Sequence, residues 1–378
     1  MVKKTGSTGP ALVIGDWRIS LLDTSHPREI MIEVTTRCNY DCIYCFRRSL
    51  IGEGLHDMDK NLFYKIVDEA VEAGVSKISF SGWGEPLIHP NIIDFLSYAK
   101  SKGLEVLLNT NGYYLLDYID VIADLGVDNV TVSIDAADDD VYKLVRRGGD
   151  LARVIKALLK LKEMKIRENK LLPSIHIQFT INRYNYKNLL ATARLAYYLG
   201  ASKVIVSNII PLNSYYEENI SCYTDPECPK EVSRITGELA KIGLEHGVEV
   251  SLPNFNRAYS ERSCPFINKY ALFIRYDGGV APCIYYAHHW RSYLSGVLRE
   301  IKPVIFGYIG REKLIDIWRK PDYVKFRAIT YFMYQPSCLD CPLQPYCTIT
   351  LSNEYDCWGN TPTCAHCPYS RDMTRCPL

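Results

Sequence analysis

Residues Cys38-Asn-Tyr-Asp-Cys42-Ile-Tyr-Cys45 set three thiols in C-x3-C-x2-C spacing, directly after the apolar run Ile30-Met-Ile-Glu-Val-Thr35. Three thiolates can hold three irons of a cubic four-iron cluster and leave the fourth without a protein ligand. An open iron can bind substrate or cofactor, whereas a fully ligated cluster chiefly transfers electrons. Structural zinc wants four ligands closed into a tetrahedron; this run offers three, and the nearest histidines are His26 and His56. Disulfide frameworks belong to small secreted chains, and the first ten residues have no signal-peptide pattern. The expectation is an iron–sulfur centre with an open corner, in a cytoplasmic protein.

The chain has 378 residues and 14 cysteines, three of them at 38–45 and nine from Cys264 onward. In a reducing compartment that number points to metal ligation, and the spread implies one metal region near each end. Cys222 and Cys228 flank a Thr-Asp-Pro turn as free thiols without an assigned role. With 44 basic and 43 acidic side chains, bulk nucleic-acid or membrane-surface binding is not expected, and no apolar run is long enough for a membrane span.

Something must position those thiols. Strand-like runs fall at 30–35, 77–81, 105–109, 129–134, 174–181 and 203–207, and amphipathic helices at 60–73, 92–101, 115–125, 151–167 and 186–199. Glycines 74, 103, 126 and 200 each follow a helix as a C-terminal cap would. Alternating strand and helix implies a parallel sheet with right-handed crossovers. The predicted fold is α/β: a partial (β/α)6-type barrel over 28–252, preceded by an extension at 1–27 and followed by a small Cys-rich domain at 253–378. One further helix is predicted after residue 251, near 312–319.

Parallel α/β folds do their chemistry at the C-terminal ends of the strands. The three-Cys loop follows the first strand, Gly82-Trp83-Gly84-Glu85-Pro86 the second, Asn109-Thr-Asn111-Gly112 the third and Ser133-Ile-Asp135 the fourth. With Tyr44 before the last Cys, this set resembles the radical S-adenosylmethionine superfamily. The resemblance implies that the open iron chelates the methionine portion of S-adenosylmethionine and that one electron splits the sulfonium. The resulting 5′-deoxyadenosyl radical then takes a hydrogen atom from substrate. It further implies that Gly82, Trp83 and Gly84 face the methionine ammonium, that Glu85 orients their loop and that Tyr44 lies near adenine. Asn109, Asn111, Gly112, Ser133 and Asp135 become candidates for ribose and carboxylate, and Arg146 or Arg147 for the carboxylate. Trp83 stands where the family usually has Gly, which puts close backbone approach there in question. No general base or radical relay is marked out.

Farther on, Cys264-x13-Gly278-x4-Cys283 and Cys338-x2-Cys341-x5-Cys347 resemble the SPASM extension, which implies one or two auxiliary 4Fe–4S clusters. The family pattern next wants a cysteine at 351, here Leu351; the chain supplies Cys357, Cys364, Cys367 and Cys376 instead. Zinc held by Cys338/Cys341 with Cys364/Cys367 is the competing reading. Gly278 and Gly279 suit a hairpin returning Cys283 towards Cys264.

The segments 81–90 and 356–360, with Cys364-Ala-His-Cys367, are similar to maturases associated with tungsten-dependent aldehyde oxidoreductases. That implies anaerobic maturation of a tungstopterin cofactor or its host protein, with an electron donor such as ferredoxin or flavodoxin. The substrate is then a small-molecule cofactor or a protein or peptide. A peptide-modifying radical enzyme is the main alternative, and a non-catalytic iron–sulfur electron carrier the distant one.

Overall fold

The apolar run that precedes the three thiols becomes the founding strand of a ten-stranded sheet. The computed structural model describes residues 11–20, 25–255 and 262–375. A hairpin of β1 (Ala11–Ile14) and β2 (Trp17–Ser20) comes first. Then β3 (Glu29–Ile32), β4 (Lys77–Phe80), β5 (Glu105–Thr110), β6 (Asn129–Ser133), β7 (Ser174–Ile181), β8 (Lys203–Asn208) and β9 (Glu249–Ser251) pair in parallel, each with the next in chain order. Ile30 stands opposite Ile78, and Ile78 opposite Val106; all three are fully buried.

The intervening helices are α1 (Lys60–Glu72), α2 (Ile92–Ser101), α3 (Leu115–Asp124), α4 (Asp139–Val145), α5 (Leu151–Glu168), α6 (Leu189–Tyr198), α7 (Ser214–Asn219) and α8 (Glu227–His246). Several start where the sequence supplies a cap: the Asp59 side chain accepts from the backbone N–H of Asn61 and Leu62, and Asp150 does the same for Arg153. The longer ones lay an apolar stripe on the sheet, as α1 does with Phe63, Ile66, Val67 and Ala70.

The Cys-rich part does not fold away from this sheet. After α9 (Pro265–Asn268), β10 (Ala271–Ile274) runs parallel to β3, and β11 (Gly279–Ala281) and β14 (Gly307–Tyr308) extend the same edge antiparallel. Gly278 turns the β10–β11 hairpin at a φ of 81°. A separate hairpin joins β12 (Trp290–Leu294) to β13 (Val297–Ile301). Where one helix is predicted beyond residue 251, the structure has, besides the single turn of α9, both α10 (Leu314–Trp318) and α11 (Pro321–Tyr331). The helical period of α11 is invisible in the sequence because it is covered nearly all round, from Tyr323 and Val324 to Ile329 and Thr330. Cys222 and Cys228 are not free thiols: they are joined as a disulfide, buried in the core.

One buried ionic junction fastens the Cys-rich part to the strand that leads to Cys38. Glu33, one residue past β3, accepts from the Trp83 backbone N–H at 2.9 Å and meets His288 Nε2 at 2.7 Å. The other His288 nitrogen lies 3.2 Å from Glu53, which also faces Arg275 at 3.4 Å. Burial alone would lower the His288 pKa, but the two carboxylates outweigh it and hold the imidazolium to about 9. A histidine raised in this way stabilises the fold fully below its unfolded value, about 6.5, and loses that contribution as pH rises through the folded value. The melting temperature of the protein should therefore fall between about pH 6.5 and 9.5, with the charged junction lost on the way. His288→Gln should cost about 3 kcal/mol at neutral pH and flatten that fall. A wild-type melting profile that is level across this range, followed by circular dichroism, would contradict the charged junction.

Candidate functional site

Cys38, Cys42 and Cys45 occupy the loop between β3 and α1, at the C-terminal rim of the sheet. Cys42 feels the charges of Cys45 and Cys38, and Cys45 that of Cys38, so the three thiols form one group. Burial pushes Cys42 up to about 12 and raises Cys38 and Cys45 as well, while Arg146 pulls all three back. Buried thiols of this kind become thiolates only with a compensating cation, which is what a metal cluster provides. Three soft donors beside a guanidinium fit an anionic iron–sulfur cluster with one open corner.

The loop after β4 lies directly against the run leading to Cys38. A Cβ on Gly84 would sit 2.2 Å from the Thr35 carbonyl oxygen, and one on Gly82 would sit 2.7 Å from Glu33 Cβ, so neither position admits a side chain. Position 83 does, because its side chain leaves in the other direction. The Trp83 indole N–H donates to the Ile284 carbonyl at 3.2 Å, and the ring meets Phe46 and Trp290 edge-on. The departure from glycine at 83 therefore leaves the close backbone approach at 82 and 84 intact. It also sends an indole to the residue after Cys283.

Glu85 is buried and fully used. One oxygen accepts from the Leu87 N–H at 3.1 Å and the Thr110 hydroxyl at 2.7 Å, and the other from the Asn111 N–H at 2.6 Å. Its own N–H donates to the Arg37 carbonyl at 2.7 Å. Burial raises its pKa, and the three donors oppose that. Glu85 thus ties the ends of β3, β4 and β5 together, with Pro86 opening the short turn that follows. From β5, the Asn111 amide donates to Asn39 at 2.8 Å and lies 3.8 Å from Cys38 Sγ. Asn109 is half-buried one turn of the pleat earlier. Gly112 has a φ of 85°, and a Cβ there would strike Val132 at 2.8 Å.

Tyr44, Asp135 and Arg146 converge beside Cys42. The Tyr44 hydroxyl donates to Asp135, and Arg146 Nη1 donates to Tyr44 at 2.8 Å and to Asp135 at 2.9 Å. The other Asp135 oxygen accepts from the Thr180 N–H at 2.6 Å. Both carboxylate oxygens of Asp135 are thereby engaged within the protein, and Ser133 stands at the half-buried end of β6 nearby. Arg146 Nε is buried with no protein partner, whereas Arg147 is exposed and reaches this loop only through its carbonyl, which accepts from the Asp41 N–H. The structure separates two arginines that the sequence left equivalent. The resemblance spoke only to a single role for each residue; that Tyr44 and Asp135 partner one another was missed, and so were Glu33 and His288.

The later cysteines fall into two sets. Cys283 feels Cys364, Cys367 and Cys264, and Cys364 in turn feels Cys367 and Cys264; burial drives Cys283 and Cys364 far above the ordinary thiol value. Cys338 feels Cys347 and Cys357, and Cys357 feels Cys347 and Cys341. The two C-x2-C pairs of the zinc reading couple within different sets, although the Cys338 N–H donates to the Ala365 carbonyl at 3.0 Å, and Cys357 stands with Cys338, Cys341 and Cys347. Cys357 is exposed, while Cys364 and Cys367 are buried. Cys376 lies outside the described residues. Among the described residues, no three His, Cys, Asp or Glu side chains form a ready site for a single metal ion, and no helix is long and apolar enough to cross a membrane.

Residues 32–196 match the radical SAM superfamily, and residues 264–342 match the SPASM iron–sulfur cluster-binding domain. The tungsten-containing aldehyde ferredoxin oxidoreductase cofactor-modifying protein of Pyrococcus furiosus is 36% identical over 92% of this chain and 97% of its own length. Among solved structures, SuiB of Streptococcus suis bound to S-adenosylmethionine superposes with a TM-score of 0.61 at 17% identity, covering 86% of this chain and 73% of SuiB. Native anSMEcpe with bound AdoMet gives 0.62 at 16% identity, covering 85% of this chain and 88% of that one. The two matched regions carry the two thiol-bearing parts of the sheet, and the P. furiosus relative spans both. The chain is a radical SAM enzyme with a SPASM domain, a member of the superfamily whose cofactors are S-adenosylmethionine and iron–sulfur clusters.

Proposed function

We propose that this enzyme acts in the maturation of a tungstopterin-dependent aldehyde oxidoreductase, modifying its cofactor or the protein that holds it. The observation that carries this reading is the identity of 36% over 92% of the chain to a protein named for modifying that cofactor. When bound, the open cluster supplies one electron to S-adenosylmethionine, and the 5′-deoxyadenosyl radical released takes a hydrogen atom from substrate.

The residues of this chain bind, orient and shield. Cys38, Cys42 and Cys45 are the proposed ligands of the cluster. Gly82, Trp83 and Gly84 present backbone to the methionine ammonium, because their loop is pinned by Glu33 on one side and Glu85 on the other. Arg146 is the arginine for the methionine carboxylate: it is buried, beside the thiols, and one of its nitrogens lacks a partner. Tyr44 and Asp135 hold its guanidinium in place. Asn109, Asn111, Gly112 and Ser133 line the rim where the nucleoside would lie. Cys264, Cys283, Cys364 and Cys367 are proposed as ligands of an inner auxiliary cluster, and Cys338, Cys341, Cys347 and Cys357 as ligands of an outer one. The outer set opens to solvent at Cys357, where a donor such as ferredoxin or flavodoxin can deliver electrons.

The reading is tested by incubating the reduced, iron-loaded enzyme and S-adenosylmethionine with aldehyde oxidoreductase from cells lacking this enzyme. Formation of 5′-deoxyadenosine should rise several-fold, with a mass change in the pterin or its host; a rise with an unrelated peptide alone would move the substrate to the peptide class. Replacing Cys38, Cys42 and Cys45 together by Ala should remove four of roughly twelve irons per chain and abolish 5′-deoxyadenosine. Glu85→Gln puts an amide where three donors need a carboxylate, and should weaken S-adenosylmethionine binding roughly tenfold or more with iron content unchanged. Equilibrium dialysis against labelled S-adenosylmethionine reads that loss, and unaltered affinity would remove Glu85 from the binding loop.

A further inference from the structure

Arg299 is a buried cation without an anion. It lies on β13 opposite Ser292 of β12 and is 1% exposed. Its Nε donates to the Thr350 carbonyl and its Nη1 to the Leu294 carbonyl, each at 3.1 Å, while Nη2 is buried with no partner. Three other buried arginines are paired with carboxylates, Arg146 with Asp135, Arg275 with Glu53 and Asp277, and Arg371 with Asp340, and Arg327 is packed over the Trp318 and Tyr323 rings. Among the described residues, no carboxylate comes within ion-pair distance of Arg299. Carbonyl dipoles solvate a guanidinium only in part, and a buried charge without a counter-charge is strongly disfavoured. Arginine does not escape by losing its proton.

The groups that face it supply the answer. Arg299 acts electrostatically on Cys338 and Cys347, and it also faces the phenols of Tyr285 and Tyr286 and the buried imidazole of His366, which burial and then the guanidinium keep neutral rather than charged. The same Thr350 whose carbonyl receives Nε places its hydroxyl 3.7 Å from Cys347 Sγ. A neutral thiol cannot offset a guanidinium, but thiolates can. Four thiolates around a 4Fe–4S core leave the site with a net negative charge.

We propose that Arg299 is the built-in counter-charge of the outer four-cysteine site, stabilising its thiolates and raising the reduction potential of the cluster they hold. This rests on the reading that Cys338, Cys341, Cys347 and Cys357 bind a cluster. A fixed positive charge nearby favours the reduced form, which carries one more electron. An outer cluster poised in this way accepts electrons readily from a donor docked at the exposed Cys357 face.

The test is an EPR-monitored redox titration of the full chain in which Cys38, Cys42 and Cys45 are Ala, following the signal that disappears when Cys341→Ala is added. Arg299→Gln should shift reduction of that signal at least tenfold towards the oxidised state, about 59 mV downward for one electron. Arg299→Lys, which keeps the charge, should restore most of the shift. Loss of four irons in the Gln variant but not in the Lys variant would equally support a role of charge. An unchanged potential in the Gln variant at full iron content would overturn the proposal, and so would equal loss of iron in both variants. If the parent protein has no signal that depends on Cys341, the cluster reading itself fails; if that signal is present but insensitive to Arg299, only the present inference does.

Discussion

The carboxylate of Glu33 is the interaction on which the rest of the site depends. It emerges where β3 ends, in a stretch that is otherwise apolar and buried, and it cannot stay there unpaired. One oxygen takes the Trp83 N–H and the other the His288 imidazole. The first bond fixes the loop after β4 at the distance that Gly82 and Gly84 allow. The second reaches across to the Cys-rich part, with Glu53 and Arg275 completing the charge balance. The end of the first strand, the loop proposed for the methionine ammonium and the approach to Cys283 are thereby referred to a single group. Breaking it leaves a buried charge, which costs far more than the loss of one surface ion pair.

The same logic governs the cysteines. Burial raises the pKa of nearly every thiol in the three groups, so without a cation they would stay protonated and inert. Cys347 goes the other way: the N–H groups of Thr350 and Ile349 outweigh its burial and lower it. The thiol groups are therefore chemically incomplete without a cation to offset their charge. Arginines placed beside them, Arg146 at one end and Arg299 at the other, anticipate the negative charge that follows.

Much of this was legible in the sequence, and for definite reasons. Parallel strands announce themselves through apolar runs and helices through periodic faces, so the order β3 to β8 followed from residues 30–207. The C-x3-C-x2-C loop is legible because ligand spacing is local. What escaped were partnerships between distant residues. Glu33 was visible as a charge inside an apolar run, a signal that a partner must exist, but nothing local pointed to His288, 255 positions away. Asp135 was read as a candidate for ribose and carboxylate, yet its oxygens serve Tyr44, Arg146 and Thr180, from three other elements. The membership of the two later cysteine sets was equally hidden, because hairpins and turns rather than spacing bring Cys264 to Cys364. Helix α11 escaped for the opposite reason: a segment buried all round loses the periodicity that marks a surface helix.

Trp83 joins these strands of argument. At its own position a glycine would satisfy the backbone, since the crowding falls on residues 82 and 84. The indole does something a glycine cannot: it fills the space between Phe46, the residue after Cys45, and Ile284, the residue after Cys283. Trp290 and Tyr285 close the same seam edge-on. A continuous aromatic contact thus connects the loop of the first thiol group with the hairpin of the second. A rigid, dry joint there fixes the separation of the two groups and keeps solvent from a site whose proposed chemistry runs through a carbon radical. The sequence feature that departs from the family is therefore a consequence of how this chain fastens its Cys-rich part to the rim of the sheet.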